Sequence, residues 1–500
     1  MTAEHHDVLI VGAGLSGVGM GCHLRRHCPG TTFAILEARA ALGGTWDLFR
    51  YPGIRSDSDM FTLGYAFKPW RNNQAIAAGA DIRNYICEAA KEYGVDAAIR
   101  YRRQVVGAQW SSADNRWTLQ VRCDNDDRRL VTMTCSFVFL ATGYYRYDEG
   151  YTPDFPGRET FKGRIVHPQH WPDDLDYSDK RVVVIGSGAT AMTLVPALAQ
   201  QASLVTMLQR SPTYIVSRPA ADPLSKWLRL FLSDRATYKA IRAKNVLLSS
   251  LFYRLSRRRP EMVKHRILEQ IKKELPNFDV ETHFTPSYDP WDQRVCLVPD
   301  SDLFAAIRAG RVDVVTDHIE RFVDDGIALR SGRTLTTDII VTATGLTLQL
   351  HGGMTLRIDG QPVNTSALVS YKGMMLCGVP NLAFATGYTN ASWTLKLDLV
   401  AEYVCQLVNH MTKRGYQRCI PQPPEPTMPL RPALDLQSGY VRRGVDAFPK
   451  QGDRAPWQLH QNYLRDLRLL RFGEQDLPYL QFDTTANPPT RQVSDKQPAA

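Results

Sequence analysis

An α/β protein with two Rossmann-like dinucleotide-binding domains and a helical insertion is predicted by three features of the sequence. HDVLIVGAGLSGVGMGCHLRR reads as a short apolar strand, a glycine turn and a helix-compatible run; KRVVVIGSGATAMTLVPALA repeats that order further along; and from 223 to 275 the chain becomes rich in Lys and Arg with apolar residues at helical spacing. With 500 residues, 44% of them hydrophobic, the chain is long enough to bury more than one core.

In the first unit Gly12 allows the tight turn, Gly14 lets the backbone approach a pyrophosphate, and Gly17 lets the helix pack on the strand. A second strand, TFAILE, ends in Glu37, about 20 residues beyond the turn, where ribose hydroxyls are read. The second unit places Gly186, Gly188 and Ala191 in the same three positions, with Ser187, Ala189 and Thr190 between them. Its following strand, SLVTMLQRS, ends in Arg210 and Ser211 instead of an acid. An acid suits free ribose hydroxyls and an arginine suits a 2′-phosphate, so the first site is expected to take FAD or NAD and the second NADPH. No cysteine pair follows Glu37, which turns the expected electron acceptor from a disulfide to oxygen or a diffusible molecule.

Composition narrows the rest. Nine cysteines without a CxxC pair argue against a disulfide framework and against a metal site. The start, MTAEHHDVLI, has no secretory pattern, and no apolar run reaches the roughly 18 residues a bilayer span needs, so a cytoplasmic location is expected. A formal charge of +9 suits an anionic cofactor, a lipid surface or a plain solvated face, and nothing in it calls for nucleic acid.

GGTWDLFRYPG, the ATG runs at 141–143 and 343–345, and the two glycine turns stand in the order of the flavin-containing monooxygenase superfamily, which the chain resembles over nearly its whole length. Within it, FKGRIVHPQHWP is similar to the Baeyer–Villiger signature FxGxxxHxxxW followed by Pro or Asp, at Phe161, Gly163, His167, Trp171 and Pro172. The resemblance implies an enzyme in which NADPH reduces FAD and oxygen adds to form a C4a-peroxyflavin. One oxygen atom then enters a ketone, giving an ester or lactone, or goes to the sulfur of a thioamide or sulfide. Two other readings stay open: N-hydroxylation of amines, and a membrane-associated flavin-binding regulator without turnover.

The resemblance also implies roles. Arg294, in PWDQR, corresponds to the arginine beside the flavin, and Asp57, in RSDSDM, to the acid that orients it and touches the nicotinamide; Asp57 and Arg55 together are expected to meet NADP. Gly44, Thr45, Trp46, Asp47 and Leu48 carry over as the isoalloxazine-lining segment, and Ser16 and Val105 as contacts at the pyrophosphate and adenine ends. Gln293 stands where many relatives have a lysine for the 2′-phosphate, which leaves that task to Arg210 and Ser211. His167, in an interdomain connector, is read as a hinge residue and not a general base.

The expected division is an FAD domain from 1–150 and 378–485, an NADP domain from 151–222 and 295–377, a helical insertion at 223–294 and a disordered tail at 486–500. In the insertion, Leu247, Leu248, Leu251, Phe252 and Leu255 form a stripe expected to pack on the NADP lobe and cover the pocket. A second reading, compatible with it, lays a basic amphipathic face on anionic lipid at the inner side of the cell membrane. The oligomeric state is left open.

Overall fold

Each glycine-turn unit seeds its own sheet. The computed structural model describes residues 3–124, 129–433 and 438–484, so the tail expected at 486–500 lies outside the described residues. In the first sheet the strand Glu4–Val11 lies parallel to Phe33–Leu36 on one side and Leu130–Leu140 on the other. Val8, Leu9 and Ile10 are fully buried, as the central strand of a sheet covered on both faces requires. Beyond Leu130–Leu140 the sheet turns antiparallel through Arg116–Cys123 and Arg103–Ser111. In Arg116–Cys123, Trp117, Leu119, Val121 and Cys123 are buried while Arg116 and Gln120 face solvent, the period of two that one covered face imposes. Helix Leu15–His27 covers the first strands, and the long helix Trp393–Arg414 packs against it.

The second sheet has five strands, all parallel, in the order Val312–Thr316, Leu204–Gln209, Arg181–Ile185, Ile339–Thr342 and Arg164–Val166. Helix Ala189–Leu198 packs against it, with Met192, Leu194, Val195 and Leu198 in the core beneath.

The return to the first sheet comes well before residue 378. Thr355–Ile358 already pairs in parallel with Arg103–Ser111, and Ser370–Tyr371 and Met375–Leu376 join the same sheet through Leu382–Phe384. The stretch from about 345 to 377 therefore belongs with the first domain. Its apolar residues Met354, Leu356 and Leu376 fill the core behind that sheet, against partners too distant in the chain for local pattern to reveal.

Between Ile215–Arg218 and Cys296–Pro299, which pair in parallel, the chain forms helices Pro223–Leu228, Asp234–Arg258, Pro260–Glu274 and Val280–Phe284. Helix Asp234–Arg258 buries Tyr238, Ile241 and Val246 and leaves Leu247, Leu248, Leu251 and Leu255 exposed. The expectation that this stripe packs on the second lobe is corrected. Only Phe252 of the five meets that core, because it shares the inner face with Asn245 and Ser256 while the leucines project from the opposite side.

Buried ion pairs tie the C-terminal segment to this frame. Lys396 and Asp466 meet at 2.8 Å with each side chain 4% exposed, and Tyr388 donates its hydroxyl to the same carboxylate at 2.7 Å. Removing one partner strands the other charge without water. Asp466→Ala is expected to cost about 3–5 kcal/mol, read as a lower urea midpoint, whereas exposed Asp174→Ala leaves that midpoint unchanged.

Candidate functional site

The two glycine turns are built alike, atom for atom at their first residue. Gly12 donates its N–H to Leu36 O and Gly186 donates to Leu208 O, each at 2.8 Å. Both have positive φ, +100° and +137°. A Cβ at Gly12 would stand 2.8 Å from Ala141 O, and one at Gly186 would stand 2.3 Å from Ala343 O. Those carbonyls open the two ATG runs, so each ATG is the strand end against which a turn closes. Gly17 packs harder still, since a Cβ there would lie 1.8 Å from Gly12 O. Ala191, fully buried, holds the equivalent place in the second unit.

Helices Leu15–His27 and Ala189–Leu198 begin at Gly14 and Gly188, neither offering a side-chain cap, and neither has an acid in its first turn. Their leading N–H groups and positive dipole ends are left for an anion. Glu37 is buried and braces the first turn, accepting from Ala13 N at 2.7 Å and Arg39 N at 2.8 Å. Burial pushes its carboxyl pKa above the usual range.

A cavity of about 820 Å³ joins the two units. Gly12, Gly14, Ser16, Glu37 and Val105 line it from the first, Ala189 and Thr190 from the second, and Gly44, Thr45, Trp46 and Leu48 form wall between. Arg294 and Asp57 also reach it, joined at 2.8 Å and each about a third exposed, at 33% and 39%. The Asp57 carboxylate raises the Arg294 guanidinium further above its already high pKa, so the cation is permanent.

Around that pair stand aromatic residues, of which the tyrosines belong to no recognised motif. Tyr144 and Tyr145 line the cavity with ring centres 4.7 Å apart, Tyr144 lies 5.4 Å from Trp393, and Tyr145 lies 6.4 Å from Tyr440. Burial raises the pKa of all three phenols, so they stand neutral around the pair. The two tyrosines directly after the first ATG were the available signal. Trp393 lines the cavity and donates its Nε1–H to Ser16 Oγ at 2.7 Å, tying the first turn to the long helix; Asn390 instead donates to Gln461 O at 2.9 Å.

Not every residue expected at the nucleotides lines the cavity. Asp47 turns from the cavity into protein, 2.5 Å from Arg39 and 2.9 Å from Arg83, where it braces the segment through arginines. Arg55 lines the cavity, yet its guanidinium is held by Asp302 at 2.5 Å and Met192 O at 3.3 Å. Arg210 is exposed at the end of its strand, and Ser211 presents its carbonyl to Ser187 Oγ at 3.0 Å. Asp59 caps helix Met60–Leu63 by accepting from Thr62 N at 3.0 Å.

The stretch FKGRIVHPQHWP stitches the two crossings between the sheets. The outgoing crossing and the return are bonded to each other, Arg146 N to Thr347 O at 2.8 Å and Tyr151 N to Gly345 O at 3.0 Å. His167 accepts at Nδ1 from Gln169 N at 3.2 Å, which leaves Nε2–H to donate to Gly345 O of the return crossing at 3.1 Å. Gln169 donates to Arg146 O at 2.8 Å and Tyr147 O at 3.0 Å of the outgoing one. Gly163 passes so close to Asp338 O that a Cβ would sit 2.3 Å from it, Phe161 packs in the core by Phe322, and Trp171, ahead of Pro172, stands edge-on to Tyr177. None of these five signature residues lines the cavity.

One glycine cradle and the helix start behind the second, both on one cavity with a fixed cation, define a two-nucleotide oxidoreductase. The description "Flavin-binding monooxygenase-like" matches residues 71–352, and "NAD(P)-binding Rossmann-like domain" matches residues 10–75. The chain is 54% identical to the FAD-containing monooxygenase EthA of Mycobacterium tuberculosis over 96% of its own length and 98% of the relative's. It is 49% identical to that organism's putative FAD-containing monooxygenase MymA, over 97% and 98%. Among solved structures, OTEMO in complex with FAD and NADP is similar in fold, with a TM-score of 0.69 at 22% identity, covering 84% of this chain and 88% of that one. The chain belongs to the flavin-binding monooxygenase-like family and is an enzyme.

Burial lowers the pKa of His167. An imidazole whose pKa is lower when folded binds its proton more readily when unfolded. Its contribution is therefore whole above the ordinary imidazole range and is lost as pH falls through the folded value. On mild acidification the wild type is expected to lose more of its thermal midpoint than His167→Gln does; equal losses would show that this stitch carries none of the effect.

Proposed function

We propose that the protein is an NADPH-dependent FAD monooxygenase of Baeyer–Villiger type, inserting one oxygen atom of O2 into ketones and transferring one to the sulfur of thioamides or sulfides. The observation that carries the proposal is the Arg294–Asp57 pair on the wall of the cavity that runs from the first glycine cradle to the helix start behind the second. The first cradle, Glu37, Val105 and the 44–48 segment would hold FAD; the second cradle, Arg55, Asp57, Arg210 and Ser211 would hold NADPH. Both cradles fit such groups, because their helix ends are uncapped and a side chain at Gly12 or Gly186 would collide with backbone. When bound, NADPH supplies a hydride to the flavin, and the reduced flavin activates O2.

The chain's own residues supply position and charge. Asp57 holds the Arg294 guanidinium in one pose, so no reorientation is needed when negative charge develops on the substrate oxygen. Tyr144, Tyr145 and Trp393 put low-polarity rings beside the pair, which strengthens the guanidinium's field. His167, absent from the cavity lining and with both ring nitrogens engaged by backbone, moves no proton. The proposal includes peripheral contact with anionic lipid, since apolar ketones and thioamides partition there and the insertion is basic.

Arg294→Ala is expected to bind FAD and oxidise NADPH but to lower oxygenated product by more than about 100-fold, with hydrogen peroxide as the product. The check is mass spectrometry of ketone and thioamide products under 18O2; one labelled oxygen per product molecule at the wild-type rate in the variant would sink the assignment. Arg210→Ala is expected to raise KM for NADPH about tenfold and leave NADH kinetics unchanged.

A further inference from the structure

The helical hairpin 223–258 carries most of the apolar surface this protein shows to solvent. Nine of the thirteen large apolar side chains exposed among the described residues lie in it, which marks a patch instead of scattered residues. Trp227 and Phe231, 57% and 71% exposed, stack 5.3 Å apart, and Leu230 beside them is 74% exposed. The ion pair of Lys244 with Asp222, at 2.5 Å, joins the short helix to the long one on the side of the long helix that carries Leu247, Leu248 and Leu251. Both groups of apolar residues thus belong to one hairpin.

The charge around that face is one-sided. Residues 223–259 hold ten Lys and Arg against one acid, Asp234, so the hairpin accounts for the whole +9 of the chain. Four of these cations are engaged: Lys244 with Asp222, Arg242 with Asp398, Arg257 with Asp292, and Arg229 with Asp234 and the carbonyls of 70–72. Lys226, Arg235, Lys239, Arg254, Arg258 and Arg259 are exposed and make no ion pair among the described residues.

We infer that this hairpin docks on an anionic lipid surface, with Trp227, Leu230 and Phe231 inserted at the interface and the exposed arginines and lysines on the headgroups. An aromatic and aliphatic tip on a hairpin lined along its length by cations without an ion pair fits a bilayer whose outermost groups are negative and whose next layer is apolar. A second copy of the chain fits poorly, because pairing this face with itself would bring like charges together.

The position of the hairpin adds a consequence. Val246, next in sequence to exposed Leu247, packs in one buried cluster with Tyr388, which lines the cavity, and Asn245 donates to Asp59 at 2.8 Å, one residue after cavity-lining Ser58. The lipid face is therefore separated from the reaction cavity by one helix, a thickness of about 10 Å. That part, delivery of apolar substrate from the membrane, rests on the oxygenase reading; the docking does not.

The test is flotation of the FAD-loaded enzyme with vesicles of phosphatidylcholine alone and of phosphatidylcholine mixed with phosphatidylglycerol. The wild type is expected to float with the anionic vesicles and to be released in part by salt. W227S/F231S is expected to lower the floating fraction at least about tenfold while turning over a water-soluble ketone normally. R258S/R259S is expected to bind more weakly at low salt and to respond less to added salt. A wild type that does not float, a W227S/F231S variant that floats as well as the wild type, or a wild-type dimer that this variant turns to monomer would each overturn the docking. Absence of ketone turnover in the wild type would count against the oxygenase reading alone, since flotation does not depend on it.

Discussion

The close approach of each turn glycine to the carbonyl at the end of a neighbouring strand is the constraint on which the rest depends. At Gly12 the neighbour is Ala141 O and at Gly186 it is Ala343 O. With no Cβ on one side and an extended strand end on the other, the backbone folds tightly enough to aim a helix N-terminus at the cavity. The same strand ends release the chain into the next domain. Each cradle and each crossing are therefore set by one contact, and the two crossings lie side by side because the two units are built alike.

That placement explains the signature stretch. Two adjacent linkers would be a soft joint unless something tied them, and His167 and Gln169 do so by donating to carbonyls of one linker each. The neutral imidazole suits this role because it offers one donor and one acceptor at fixed angles, both satisfied. A charged imidazolium would leave Gln169 N–H facing a donor. The stretch thereby holds the two linkers side by side through three side-chain hydrogen bonds.

Within the cavity the electrostatics are deliberately uneven. Arg294 keeps its charge and its pose through Asp57, among aromatic side chains that carry none. Asp47, next to the same wall and itself buried, engages its charge with Arg39 and Arg83. Outside, the excess positive charge is gathered on one hairpin, while the remainder of the chain is balanced. Placing the two kinds of cation apart lets one act on a reacting group and the other on a surface.

Much of this was legible in the residues themselves. The glycine spacings, the acid after one unit and the arginine after the other named two dinucleotide units, since tight turns and uncapped helix starts are local events governed by a few consecutive residues. The helical nature of the insertion was equally local. The return of Thr355–Ile358 to the first sheet was not, because its partner Arg103–Ser111 is remote in the chain and its own few residues would suit either sheet. Nor was the orientation of Asp47, or of the stripe from Leu247 to Leu255: periodicity shows that a helix has two faces, and only packing decides which one is covered. The sequence by itself determined which groups could bind nucleotides and carry charge. The tertiary structure alone decided which of them meet at one cavity, because Arg294, Asp57, Tyr144 and Trp393 come from four separate segments that converge only once both sheets have formed.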